Sequence, residues 1–193
     1  MSTRSYIAKQ IGEDKYLTIY CHSDGYLSYN GAMLIDHYNS EEKVDELLKL
    51  GDLSCLCEKL NPDPSRPHSF DYDERQEDVT IAYGRDRGDE DTGAGEYTMD
   101  QLDDPNNWIE YVYIFNKDNG WKYFRSGYSD KGLQDIEEDL KAQYNLYGTD
   151  RIPGYYGFVN QEIVDYLLKE QSVLDKNQTD NIELENTEPT VLM

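Results

Sequence analysis

The residues with the most chemical potential follow a β-rich stretch, Cys21–His22–Ser23–Asp24–Gly25–Tyr26, with His37 a short way downstream. Imidazoles and carboxylates are the usual proton carriers and zinc ligands. His22 and Asp24 stand two apart, which on a strand puts both side chains on one side. His37 would approach them across a strand-to-helix turn. One reading is a small metal-dependent hydrolase centred on His22, Asp24 and His37. The other is a hydrogen-bonded turn in which His22 and Asp24 satisfy backbone groups. Zinc sites normally supply more ligands at tighter spacing, so the turn is the expectation, and neither a metal nor a cofactor is assigned.

The remaining nucleophiles and phosphate-binding patterns are weaker. Cys55 and Cys57 are separated by one residue, so they are not a Cys-x-x-Cys pair, and no second pair follows. With Cys21 they make three cysteines, an odd count without a disulfide framework. They read as reduced thiols in the core or on the surface of a cytoplasmic protein. Gly84–Arg85–Asp86–Arg87–Gly88 is glycine-rich but has neither a dinucleotide nor a P-loop register. Ser2 and Thr3 would lie near the N-terminus once Met1 is removed, and a strand beginning with Ser or Thr is the arrangement of N-terminal nucleophile hydrolases, in which the free amine is the base. A serine at position 2 is also simply a common site of Met removal, and no catalytic residue is assigned.

The strongest signal is charge. The chain of 193 residues has 40 Asp and Glu against 18 Lys and Arg, a net −22. Between Asp71 and Asp104 stand 13 carboxylates against three arginines, Arg75, Arg85 and Arg87, so this segment alone holds −10 of the −22. Carboxylates spread over a surface resemble a phosphate backbone to a basic groove, and such a surface competes with DNA in a salt-sensitive way. The contact residues expected on this reading are Asp86, Asp89, Glu90, Asp91 and Glu96, backed by Asp71, Asp73, Glu74, Glu77 and Asp78. A solvated loop is the plainer reading, and the run has no EF-hand spacing. The same excess argues against direct binding of nucleic acid, which needs basic surface.

The elements that must position these residues follow from periodicity. Ser5 to Ile11 and Tyr16 to Cys21 read as strands of a hairpin turned by Gly12–Glu13–Asp14. Leu27 to Tyr38 reads as a helix weakened by Gly31. Ser40 is an N-cap for a second helix with Val44, Leu47 and Leu48 buried and Gly51 past its C-terminus. Asn61 to Pro67 holds three prolines and is irregular. Val79 to Tyr83 reads as a short strand, and Gly84 to Glu96 as a polar loop. Trp108 to Phe115 and Trp121 to Phe124 make a second hairpin around Asn119–Gly120. Its Tyr111, Tyr113 and Phe115 share one face, as core or as a small-molecule binding surface. Helices are expected from Leu133 to Tyr144 and from Val159 to Leu168. The expectation is an α+β domain over 1–170, with an antiparallel sheet of about five strands in two hairpins and about four helices. It includes a mobile acidic loop near 84–97 and ends in a disordered acidic tail over 171–193. No apolar run is long enough to span a membrane. Oligomeric state and strand order do not follow from the sequence.

Ser2–Thr3–Arg4–Ser5, Ile19–Tyr20–Cys21–His22–Ser23–Asp24–Gly25–Tyr26, Leu34–Ile35–Asp36–His37–Tyr38 and Gly51–Asp52–Leu53–Ser54 together resemble a family of small acidic proteins carried by phages and mobile elements of Firmicutes. The likeness spans roughly residues 2–125. By association the resemblance implies an anti-defence protein in the host cytoplasm, such as an anti-CRISPR that inhibits a nucleic-acid-guided nuclease. It transfers no functional residues; the acidic segment is inferred from the sequence itself.

Overall fold

The computed structural model describes residues 2–147. The first hairpin forms as its alternation demands. Strands β1 (Ser5–Gly12) and β2 (Lys15–Cys21) pair antiparallel with Ser5 opposite Cys21 and Gln10 opposite Tyr16. Asp14 takes φ 49° in the turn, a left-handed conformation that Asp tolerates better than most residues.

Leu27–Gly31 is a π-helical turn that runs into α1 (Ala32–His37). Gly31 has a packing role here: a Cβ would stand 3.0 Å from Leu27 Cδ1 and 3.3 Å from the Tyr113 ring. Helix α2 (Glu41–Lys49) has the expected anatomy. The Lys43 amide donates to Ser40 Oγ, Glu41 and Glu42 lie at the positive end of the dipole, and Val44, Leu47 and Leu48 are buried. Gly51 follows at φ +75°. The chain returns as β3 (Leu53–Cys55), parallel to β2, and reaches β4 (Ile81–Ala82), antiparallel to β3.

Strand β5 (Gly95–Tyr97) pairs with the first half of β2, Tyr16 opposite Tyr97. Helix α3 (Met99–Leu102) opens with a capping box between Thr98 and Gln101. Then β6 (Tyr111–Asn116) and β7 (Gly120–Arg125) form the second hairpin, followed by β8 (Gln134–Asp135) and α4 (Ile136–Tyr147). The sheet order is β4-β3-β2-β1-β6-β7-β8, with β5 beside β2.

The sheet is therefore mixed and eight-stranded, which corrects the expected antiparallel sheet of about five strands. Two junctions are parallel: β1 with β6, from Ser5 opposite Tyr111 to Lys9 opposite Phe115, and β2 with β3. Pairing only neighbours in sequence finds hairpins and misses both. Strands β3, β5 and β8 have two or three residues each, too few for alternation to show. The helix expected over 159–168 and the tail over 171–193 lie outside the described residues. Among the described residues no helix is long and apolar enough to cross a membrane.

Both sheet faces are covered. Ile7, Ile19, Tyr113, Phe115, Trp121 and Tyr123 pack against α1, α2 and α4. Ala8, Val112, Ile114 and Phe124, one residue out of phase, pack with Leu102 and Ile109 on the other face, as the pleat requires.

Candidate functional site

The acidic segment folds around the β3–β4 end of the sheet. Its hub is Gln76, buried to 6% exposure. The Gln76 side-chain amide donates to the carbonyls of Asp63, Arg66 and Pro67 at 3.0, 3.1 and 3.2 Å, and its oxygen accepts from the Asp63 amide at 2.8 Å. The proline-rich loop thus hangs from one buried side chain. The Gln76 amide donates to His68 Nδ1 at 3.1 Å, so neutral His68 carries its proton on Nε2. Backbone bonds Lys59–Asp78 and Thr80–Lys59, at 2.9 and 2.8 Å, tie the segment to the strand edge. Around this hub Asp71, Asp73, Glu74, Glu77 and Asp78 are all exposed.

The next stretch is fastened differently. The Tyr83 amide donates to the Asp52 carbonyl at 2.8 Å, and the Asp52 amide to that of Thr92 at 2.7 Å. A π-helical turn, Tyr83–Arg87, points Asp86 inward. Its carboxylate accepts from the Ala82 amide at 2.7 Å and from Arg85 Nε and Nη2 at 2.7 and 2.8 Å. His68 Nε2 lies 3.7 Å from the same carboxylate. Burial holds the His68 imidazole below its usual pKa, with the Asp86 charge opposing and Arg85 and Arg75 assisting.

Of the ten carboxylates expected at a contact surface, Asp86 is buried and the other nine are exposed. Asp78 pairs with Lys59 at 3.8 Å and Asp89 with Arg87 at 3.1 Å, while Glu74 accepts from Ser69 at 2.9 Å. Asp71, Asp73, Glu77, Glu90, Asp91 and Glu96 form no ion pair among the described residues. The three arginines of the segment face the protein's own groups. Arg75 meets the Cys55 sulfur at 2.8 Å, Arg85 is engaged by Asp86 and by the carbonyls of Leu60 and Thr80, and Arg87 lies over the rings of Phe70 and Tyr83 at 4.7 and 4.3 Å. The three arginines, though exposed, are engaged by local groups, whereas Asp71, Asp73, Glu77, Glu90, Asp91 and Glu96 are left to solvent. Such a face can hold basic side chains or cations.

His22, Asp24 and His37 find separate partners. Strand β2 ends at Cys21, so His22 and Asp24 lie beyond it, and Asp24 turns left-handed at φ 57°. His22 Nδ1 is 2.8 Å from the Tyr20 hydroxyl, the Tyr26 hydroxyl donates to Asp24 at 3.1 Å, and His37 Nε2 is 2.9 Å from Asp36. Among the described residues no three His, Cys, Asp or Glu side chains are grouped to hold a metal ion.

The aromatic hairpin is largely core. Tyr113 is fully buried and donates to the Gly25 carbonyl at 2.9 Å, Trp121 Nε1 donates to the Tyr38 carbonyl at 2.7 Å, and Phe115 packs edge-on to Trp121. A cavity of about 640 Å³ at its outer end is lined by Tyr123, Phe124, Arg125, Tyr128, Lys131, Gln134 and Asp139.

No protein-family model matches this chain, and no curated protein or solved structure is detectably similar to it.

Proposed function

We propose that this is a binding protein that docks its acidic face into the basic nucleic-acid channel of a bacterial defence nuclease. The carrying observation is the separation of charge in the segment at the β3–β4 end. Asp71, Asp73, Glu77, Glu90, Asp91 and Glu96 face solvent without cationic partners, while Arg75, Arg85 and Arg87 are held by the protein itself. A basic channel lined for phosphates would meet a comparable anionic array and be closed to its substrate. The class of partner, a CRISPR effector in the host cytoplasm, comes from the resemblance; the surface itself asks only for a basic groove.

The test is cleavage of target DNA by a purified type II CRISPR nuclease with its guide, with and without this protein, at two salt concentrations. Inhibition that weakens as salt rises supports the proposal. Glu90→Gln, Asp91→Asn and Glu96→Gln combined should raise the half-inhibitory concentration about tenfold, each exposed contact contributing about 0.5 kcal/mol. Undiminished inhibition after neutralising these and Asp71, Asp73 and Glu77 would reject the acidic face. Absence of any inhibition would reject this nuclease as target.

A further inference from the structure

His68 lies just ahead of the acidic run, and its side chain is 3% exposed. The chain is fixed on both sides of it. The Pro67 carbonyl accepts from the Gln76 side chain at 3.2 Å, and the Phe70 amide donates to the Asp86 carbonyl at 3.0 Å. The two ring nitrogens have unequal surroundings. Nδ1 accepts from the Gln76 backbone amide at 3.1 Å. Nε2 is buried and has no hydrogen-bond partner among the described residues. Asp86 Oδ1 stands 3.7 Å from it, beyond hydrogen-bonding distance. A buried N–H left unpaired in this way is rare in a folded protein.

We propose that His68 is a pH-operated latch on the acidic face, closed while its imidazole is neutral and opened by protonation. A backbone amide only donates, so Nδ1 has to keep its lone pair for the bond to Gln76 to exist. Nε2 already carries the proton of the neutral ring, so the second proton goes to Nδ1. Two N–H groups then face each other at 3.1 Å, and the bond to Gln76 is lost. The charged ring gains an attractive partner in exchange, the Asp86 carboxylate 3.7 Å from Nε2. Closing that gap draws Nδ1 away from the Gln76 amide. The ring thus has two alternative partners on its two nitrogens, and its protonation state chooses between them.

The latch has a long reach because of what Gln76 carries. Its side chain holds the carbonyls of Asp63, Arg66 and Pro67 and accepts from the Asp63 amide. Releasing Gln76 therefore loosens the proline-rich loop and the start of the acidic run together. The charged groups that face the ring are Asp86 and Arg85 from the π-helical turn and Arg75 from the acidic run. Burial and the two guanidiniums disfavour the imidazolium, Asp86 favours it, and the balance holds the imidazole below its usual value. The closed form binds fewer protons than the open one. It is at full strength above about pH 6.5, the ordinary imidazole value, and weakens as pH falls. Acid would then slacken the array of carboxylates offered to a basic channel. That consequence rests on the docking function proposed above; the latch itself does not.

The test is nuclear magnetic resonance on the full-length, isotope-labelled protein. At about pH 7.5 a long-range proton–nitrogen correlation should show His68 as the Nε2–H tautomer. Between about pH 7.5 and about pH 5 the exchange protection of the Gln76 and Asp63 amides, corrected for intrinsic rates, should fall about threefold or more in step with the His68 titration. His68→Asn places a carbonyl oxygen where Nδ1 stands and takes up no proton in this range. Both amides should then keep their protection down to about pH 5. The Nδ1–H tautomer, an imidazole still neutral at about pH 5, protection that stays constant while His68 titrates, or the same acid loss in folded His68→Asn would overturn the proposal. Tautomer and titration are read on the unaltered protein, so a variant that fails to fold leaves the test standing. None of these readouts involves a nuclease, so the latch and the docking function fail separately.

Discussion

Asp86 and Glu90 belong to one acidic run, yet their carboxylates live in opposite environments. Asp86 is 8% exposed and takes the Ala82 amide and the Arg85 fork; Glu90 faces water. A carboxylate turned inward to cap backbone donors is a structural part, and its loss strands those donors. Asp86→Ala should therefore destabilise the fold by about 1–3 kcal/mol in urea unfolding, with Arg85 able to recover part of its hydration. Glu90→Gln should leave stability within about 0.5 kcal/mol and act only on binding. Sequence could not separate the two, because both are acidic residues in a polar, glycine-rich stretch. The distinction arises from the π-helical turn at Tyr83–Arg87. Gln76 and His68 were missed for the same reason: nothing in a neutral Gln within an acidic run marks it as a hub.

At the scale of elements, helix α2 was legible from end to end. Ser40, the acidic first turn, the Val44–Leu47–Leu48 stripe and Gly51 each correspond to a local physical requirement. Gly51 has a second duty that only the tertiary structure reveals. Its φ is +75°, and a Cβ there would run into the Thr92 carbonyl, which accepts from the Asp52 amide. The stop signal of a helix is thus also the anchor of the acidic loop. Gly51→Ala should cost about 1–3 kcal/mol by strained backbone, measured by chemical denaturation. It should also raise amide exchange at Asp52, whose donor bond to Thr92 would be displaced. The two hairpins were legible because each is closed by a local turn. The parallel junctions were not, because Ser5 and Tyr111 carry no mark of each other.

At the scale of the whole molecule, a net −22 makes the compact state repel itself. Screening relieves that repulsion within about a 10 Å Debye length at 0.1 M salt. Melting temperature at neutral pH should therefore rise between low salt and about 0.5 M sodium chloride. A flat or falling curve would mean that the carboxylates are compensated locally, which would also weaken the case for a face awaiting a basic partner. The fold limits that compensation by tying Arg75, Arg85 and Arg87 to a sulfur, a buried carboxylate and two aromatic rings.

Sequence by itself determined what local and compositional physics can determine. Net charge, the tight turns at Glu13–Asp14 and Asn119–Gly120, the capping of α2 and the two-residue alternation of β1 and β6 depend on neighbours along the chain. Tertiary structure alone decided which strands meet in parallel, that two- and three-residue segments become strands, and that Asp86 turns inward. It also decided that Arg75, 20 residues from Cys55, comes to stand against its sulfur. Each of these depends on groups far apart in sequence brought within ångströms of each other, and such proximity leaves no periodic or compositional trace.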